Sequence, residues 1–173
     1  MQIDRLRPVL LEPGEERENM KVGVTGHQQL GGEETVVWLS HTLETCIEQY
    51  RIEQGITSLA IGADQLYAEV LKRKNIPYLA VIPSADYVTT FTNDHDLARY
   101  QEFLQEAFEI IHLPFEQGSE TAYYEAGKRV VDLSDLLLAI WNGLPARGLG
   151  GTADIVQYAL SRKKQVIHIN PLS

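Results

Sequence analysis

Leu136-Leu137-Leu138-Ala139-Ile140-Trp141, then Asn142-Gly143-Leu144-Pro145-Ala146-Arg147-Gly148-Leu149, then Gly150-Gly151-Thr152: this stretch decides the fold. An unbroken apolar run, without alternation, predicts a strand buried on both faces. Ile155, Val156, Ala159 and Leu160 follow at helical spacing. The glycines therefore join the end of a buried strand to the start of a helix. A helix start leaves backbone N–H groups without partners and carries partial positive charge. Glycine lets an anion approach that backbone closely, and the Thr152 hydroxyl adds a donor. The plainer alternative is that the glycines turn the chain and Thr152 caps the helix. The anion seat is preferred because similar loops occur earlier in the chain.

Working outward, strands and helices alternate. Val22-Gly23-Val24 reads as the first strand, followed by a helix over 33–52 with Val36, Leu39, Leu43, Cys46, Ile47 and Tyr50 on one stripe. Ser58-Leu59-Ala60-Ile61 is expected as the second strand, with Ala63, Leu66, Tyr67, Val70 and Leu71 inward on its helix. Tyr78 to Ile82 is the third strand, closed by Pro83. A connection over 84–93, containing Ser84, Asp86 and Tyr87, has the length of a lid and equally of an ordinary loop. A helix carrying Leu97, Tyr100, Phe103, Leu104 and Ala107 leads to a fourth strand, Glu109 to His112. A helix over 119–133, with Ala122, Tyr123, Ala126 and Val130 inward, precedes strand five, Leu136 to Trp141. The last helix, 152–163, feeds strand six, Val166 to Ile169. The expected fold is α/β: a doubly wound, Rossmann-like parallel sheet of about six strands with helices on both faces. Residues 1–19 read as an N-terminal tail or clamp, and 20–173 as a single domain.

In such a sheet, ligands lie beyond the carboxyl ends of the strands, where the strand order reverses. Each glycine loop falls at such an end. Thr25-Gly26-His27 follows strand one; His27 is either a ligand contact or a surface loop histidine. Gly62 and Asp64 follow strand two. Asp64 either contacts a sugar or base, or sits favourably in the first helical turn. Tyr124 and Lys128 share one helix face, facing a pocket or solvent together with Arg129. Trp141 either stacks on a base or packs on the sheet, and Arg147 has a place from which to fold over a phosphate. The ligand-binding candidates are thus Thr25, Gly26, His27, Gly62, Asp64, Tyr124, Trp141, Arg147, Gly150, Gly151 and Thr152.

Composition sets limits. In 173 residues, 44% hydrophobic and 23% charged, one soluble domain is expected. No apolar run approaches the ~18 residues of a membrane span. Asp4, Arg5 and Arg7 break any signal-peptide pattern at the start. Cys46 is the single cysteine and lies on an apolar stripe, so a buried thiol and a cytoplasmic location are expected. A net charge of −9 argues against a nucleic-acid or membrane partner, but leaves room for a small phosphorylated ligand held by backbone amides. G-x-x-x-x-G-K-[ST] and G-x-S-x-G are missing, and the strand-one loop lacks G-x-G-x-x-G. Asp94-His95-Asp96 reads as a polar helix start, and no metal site is expected.

Val24-Thr25-Gly26-His27, Ala60-Ile61-Gly62-Ala63-Asp64-Gln65, Ser134 to Gly143 and Gly150-Gly151-Thr152-Ala153, in this order and spacing, resemble the SLOG superfamily, and most of all its YpsA-like branch. The resemblance spans about 20–170. It implies a Rossmann-like domain that binds nucleotides or nucleotide-derived ligands, often as a sensor. The superfamily also includes LOG-type phosphoribohydrolases, marked by P-G-G-x-G-T-x-x-E with a catalytic final glutamate. That glutamate's position is Ile155 here, which can neither activate water nor stabilise an oxocarbenium ion.

The expectation is therefore a nucleotide-binding sensor or regulator, able to take an ADP-ribose-like ligand and requiring no cofactor; a homodimer is compatible with it. The alternative is an N-riboside phosphoribohydrolase, with Asp64, Glu125, Asp135 and Asp154 as candidate acids.

Overall fold

The computed structural model describes residues 19–145 and 148–171. Its strands are β1 (Met20–Gly26), β2 (Ile52–Thr57), β3 (Tyr78–Ile82), β4 (Glu109–His112), β5 (Leu136–Ile140) and β6 (Gln165–Ile169). Its helices are α1 (Glu33–Gln49), α2 (Ala63–Arg73), α3 (Asp94–Glu106), α4 (Glu120–Leu133) and α5 (Thr152–Ser161). A single 3₁₀ turn, Tyr87–Thr90, follows β3. The strands form one six-stranded sheet in the order β4-β3-β2-β1-β5-β6, with every pairing parallel. This is an α/β, Rossmann-like fold.

β5 shows why the sheet needs helices on both faces. Its side chains alternate direction, as strand geometry requires. Leu136, Leu138 and Ile140 enter the core beneath α1, α2 and α3. Leu137 and Ala139 enter the other core, beneath α4 and α5. β3 divides the same way, with Tyr78, Ala80 and Ile82 on the first side and Leu79 and Val81 on the second. An apolar run without alternation is thus two alternating patterns superposed.

The chain winds outward from β1 through β2 and β3 to β4, then returns to place β5 on the other side of β1. The reversal lies between β1 and β5, paired from Val22↔Leu136 to Gly26↔Ile140. Crossovers that diverge there leave a crevice above the carboxyl ends of these two strands.

The second strand departs from expectation. It is Ile52–Thr57, and Ser58 to Ile61 form the loop beyond it. Leu59 takes a left-handed backbone, φ 58°, and its N–H donates to Thr57 Oγ1 at 3.1 Å. Neither is compatible with an extended strand. Leu59 is buried by a folded-back loop, whereas Ile52-Glu53-Gln54-Gly55 hides its strand character in polar residues. Gly55 lies under α2, where a Cβ would meet Leu71 Cδ1 at 2.2 Å. α1 correspondingly stops at Gln49, and Arg51 turns left-handed, φ 50°, to start β2 at once. Among the described residues, no helix is long and apolar enough to cross a membrane.

Candidate ligand-binding site

A cavity of about 650 Å³ occupies the crevice at the strand reversal. Thr25, Gly26 and His27 line one part of it, and Gly150, Gly151 and Thr152 another. Ser58, Ala60, Ile61 and Asp64 add the β2–α2 loop, and Asn142, Leu144 and Pro145 the segment after β5. Tyr87, Phe91, Tyr123 and Trp141 supply aromatic wall.

The two helix starts beside the cavity differ in availability. At α2, Ala63 N–H donates to His27 O at 3.0 Å and Gln65 N–H to Ala60 O at 3.2 Å. Asp64 Oδ2 accepts from Ala60 N–H at 3.2 Å. The chain itself occupies this end. At α5, Gly150 N–H donates to Asp154 Oδ2 at 3.1 Å, and the Asp154 and Ile155 N–H groups converge on Gly151 O. Gly151 provides the helix cap without a side-chain hydrogen bond. Among the described residues, the N–H groups of Gly151, Thr152 and Ala153 have no protein acceptor. This is where an anion finds donors and the positive end of a helix together.

His27 ties the seam between the two halves of the sheet. Its N–H donates to Ile140 O at 3.0 Å, and its Nε2 accepts from Asn142 N–H at 3.2 Å. An accepting Nε2 places the ring proton on Nδ1. Trp141 is also committed: its Nε1–H donates to Leu144 O at 2.8 Å and its ring lies 4.9 Å from that of His168. It forms wall while holding the following loop in place.

Asp64 is 9% exposed and lies at the cavity beside the buried Tyr87. Burial pushes its carboxyl up to about 7, although the backbone N–H groups of Ala60 and Ser58 act in the opposite direction. Tyr87 is in turn raised well above the ordinary phenol value, first by burial and then by the charge of Asp64.

Several expected positions need correction. Gly62 does not line the cavity. With φ 93° it turns the chain so tightly that a Cβ would meet Gln28 O and His27 O, both at 2.4 Å. Its role is the close approach of two loops. Tyr124 does not line the cavity: it packs, partly buried, against the second core, with Lys128 Nζ 4.9 Å from its ring centroid. Its neighbour Tyr123 lines the cavity instead, with Ala126, Gly127 and Val130 at helical spacing. Lys128 and Arg129 line a separate groove of about 350 Å³ with Glu125 and Asp132. Arg147 lies outside the described residues. The 84–93 connection is not a free lid. Ala85 and Asp86 N–H groups donate to Phe115 O and Glu116 O, and Asp86 Oδ1 accepts from Ser84 Oγ and Gly118 N–H.

Of the four candidate acids, Asp64 alone lines the cavity. Glu125 pairs with Lys128 at 2.7 Å in the other groove. Asp135 joins β5 to the start of β1, accepting from Lys21 N–H at 2.9 Å, at the opposite rim of the sheet. Asp154 shapes the turn before α5 through Gly150 N–H. Ile155 is buried against α4, where a Cβ on Gly127 would meet its Cδ1 at 2.2 Å. Among the described residues, no three His, Cys, Asp or Glu side chains gather as metal ligands.

In the sequence, Tyr87 stood out only as part of a loop, Tyr123 only as an inward helix position, Ser58 only within an expected strand and Asn142 only within the stretch after strand five, while Phe91 carried no signal. The detectable signal was in α4, where Tyr123, Ala126, Gly127 and Val130 recur on one face and two of the four are small.

The chain matches no protein-family model and no curated protein. Its fold does match solved structures. DNA processing protein A (DprA) from Streptococcus pneumoniae aligns with TM-score 0.62 at 15% identity, over 87% of this chain and 50% of that one. DprA from Helicobacter pylori, described by its unique single-stranded DNA binding mode, gives TM-score 0.63 at 16% identity, over 86% and 64%. The molybdenum cofactor binding protein of Rippkaea orientalis gives TM-score 0.59 at 18% identity, over 90% and 78%. The chain shares the α/β, Rossmann-like fold of these proteins. It spans half of the first DNA-processing protein and under two thirds of the second. These neighbours correct one expectation. The charge argument against a nucleic-acid partner does not stand, because DprA from Helicobacter pylori, which shares this fold, binds single-stranded DNA. Net charge describes the whole surface, whereas phosphate contacts are made locally.

Proposed function

We propose that this SLOG-type domain binds a nucleotide or a nucleotide-derived ligand of the ADP-ribose kind. The reading rests on one observation: Thr25–His27 and Gly150–Thr152, far apart in sequence, line the same cavity at the strand reversal. A phosphoryl group lies against the Gly151, Thr152 and Ala153 amides, where each charge-assisted hydrogen bond contributes about 1.5–3 kcal/mol. The sugar and base extend along the aromatic wall of Tyr87, Phe91 and Tyr123. The volume, about 650 Å³, is within the ordinary range for small-molecule sites.

Binding without turnover is favoured because the described residues bring a single carboxyl group to the cavity rather than a matched pair, and the LOG glutamate position is an apolar contact to α4. A second reading is favoured by the DNA-processing neighbours: the same amides receive a phosphate of a nucleic-acid single strand, and its bases stack on the aromatic wall.

Calorimetric titration with AMP, NAD, ADP-ribose and a short single-stranded oligonucleotide tests both readings. Micromolar to sub-millimolar binding of ADP-ribose or NAD supports the first. Preference for the oligonucleotide supports the second. No heat from any of the four at millimolar ligand overturns both.

A further inference from the structure

The cavity combines an anion seat with an unusual electrostatic lining. Among the described residues that form it there is no lysine, arginine or glutamate. Asp64 is its one carboxyl group, and it is nine-tenths buried. Among the described residues, the groups packed around Asp64 give it no permanent cation. The β1–α1 loop offers His27, whose Nε2 already accepts from Asn142 N–H. The 3₁₀ turn offers the Tyr87 hydroxyl, α3 offers Tyr100 behind Tyr87, and α4 offers Tyr123. From its own loop come the Ala60 and Ser58 amides.

A phosphorylated ligand entering this space brings negative charge towards a carboxylate, with no lysine or arginine among the described lining residues. Like charges sharing one crevice are screened less than on the open surface and repel each other. The repulsion disappears when the carboxyl holds a proton. Resting on the nucleotide reading above, we propose that Asp64 is the specificity-determining residue of this cavity, taking up a proton as a phosphorylated ligand binds, so that anionic ligands are admitted only to the neutral form. The ordinary carboxylate range would make such uptake negligible at neutral pH. The burial of Asp64, which moves its titration to about 7, places the event in the physiological range.

The sign follows from linkage. Ligand stabilises the protonated form, so affinity falls as pH rises through the range where Asp64 ionises. ADP-ribose is the suitable probe, because its pyrophosphate diester does not titrate between pH 5 and 9. Calorimetry of the whole chain with ADP-ribose at pH 7, in buffers of different ionisation enthalpy, counts protons taken up directly. The expected result is uptake of a substantial fraction of one proton, with an affinity roughly five- to tenfold weaker at pH 8 than at pH 6. Asp64→Asn, which keeps an acceptor for Ala60 N–H, is expected to bind with no uptake and a flat pH profile. Wild-type binding with equal affinity at both pH values and no uptake overturns the proposal and leaves the nucleotide reading standing. Uptake that persists in Asp64→Asn assigns the proton to another group, such as His27, and also overturns it. Failure of wild type and variant to bind at pH 6 defeats the nucleotide reading and this proposal together.

Discussion

Asp64 holds its place through backbone hydrogen bonds while giving up most of its hydration. Its raised ionisation has a consequence for the unliganded protein. A carboxyl that titrates at about 7 when folded, against 3.8 in the reference state, binds its proton more tightly in the native state. That contribution is fully present below about 3.8 and is lost as pH rises towards and through 7. Asp64→Asn removes this loss. Thermal unfolding is expected to show the variant more stable than wild type at pH 8, with the gap shrinking towards pH 5; a constant gap argues against the raised value. Cys46 gives a second residue-scale expectation. It is fully buried, and burial pushes its thiol up to about 12. A thiolate-directed reagent should label it only as fast as the native chain unfolds. Both residues could be singled out by sequence, but only one could be understood there. An apolar helix stripe reads directly as burial for Cys46. For Asp64 the deciding fact is a loop folded over it, and Ser58-Leu59-Ala60-Ile61 reads as a strand unless the Thr57 and Asp64 contacts that bend it are known.

At the scale of elements, α5 carries the sharpest prediction because helix stability and anion binding pull in opposite directions there. Thr152 is its first residue. A carboxylate at a helix start is typically favourable by about 0.3–1 kcal/mol. The same charge would sit in the proposed phosphate seat. Thr152→Asp is therefore expected to leave the unfolding temperature unchanged or raised, while weakening ADP-ribose binding more than tenfold. If it lowers stability and binding together, the anion-seat argument loses its support. The strand–loop–helix order that leads to α5 was plain in the sequence, since glycines divide two different apolar periods. The rotation of α4 was legible too, from Ala122, Tyr123, Ala126 and Val130, but the place of Tyr124 was not, because its packing against the second core depends on α5, whose Tyr158 shares Lys128 with it. One step on a helix is about a quarter of a turn, enough to move a ring out of the cavity lining.

For the whole molecule, stability lies in two cores that share β5. Leu138 is fully exposed to packing on the first and fully closed to solvent, so Leu138→Ala is expected to destabilise by about 2–5 kcal/mol. The measurement is a chemical denaturation curve whose midpoint falls while its slope stays constant. The sheet that joins these cores also sets when the cavity can exist. His27 and Asn142 meet across the β1–β5 seam although 115 positions separate them, and the α5 amides lie further along still. During synthesis, β1 through β4 and their helices emerge first, with the β5 side of β1 uncovered. A nascent chain at that stage offers an unsatisfied strand edge rather than a docking place, and such edges invite wrong pairing. Small molecules cannot rescue it then, because the crevice needs α4, β5 and the start of α5; their protection begins only once α5 has been made.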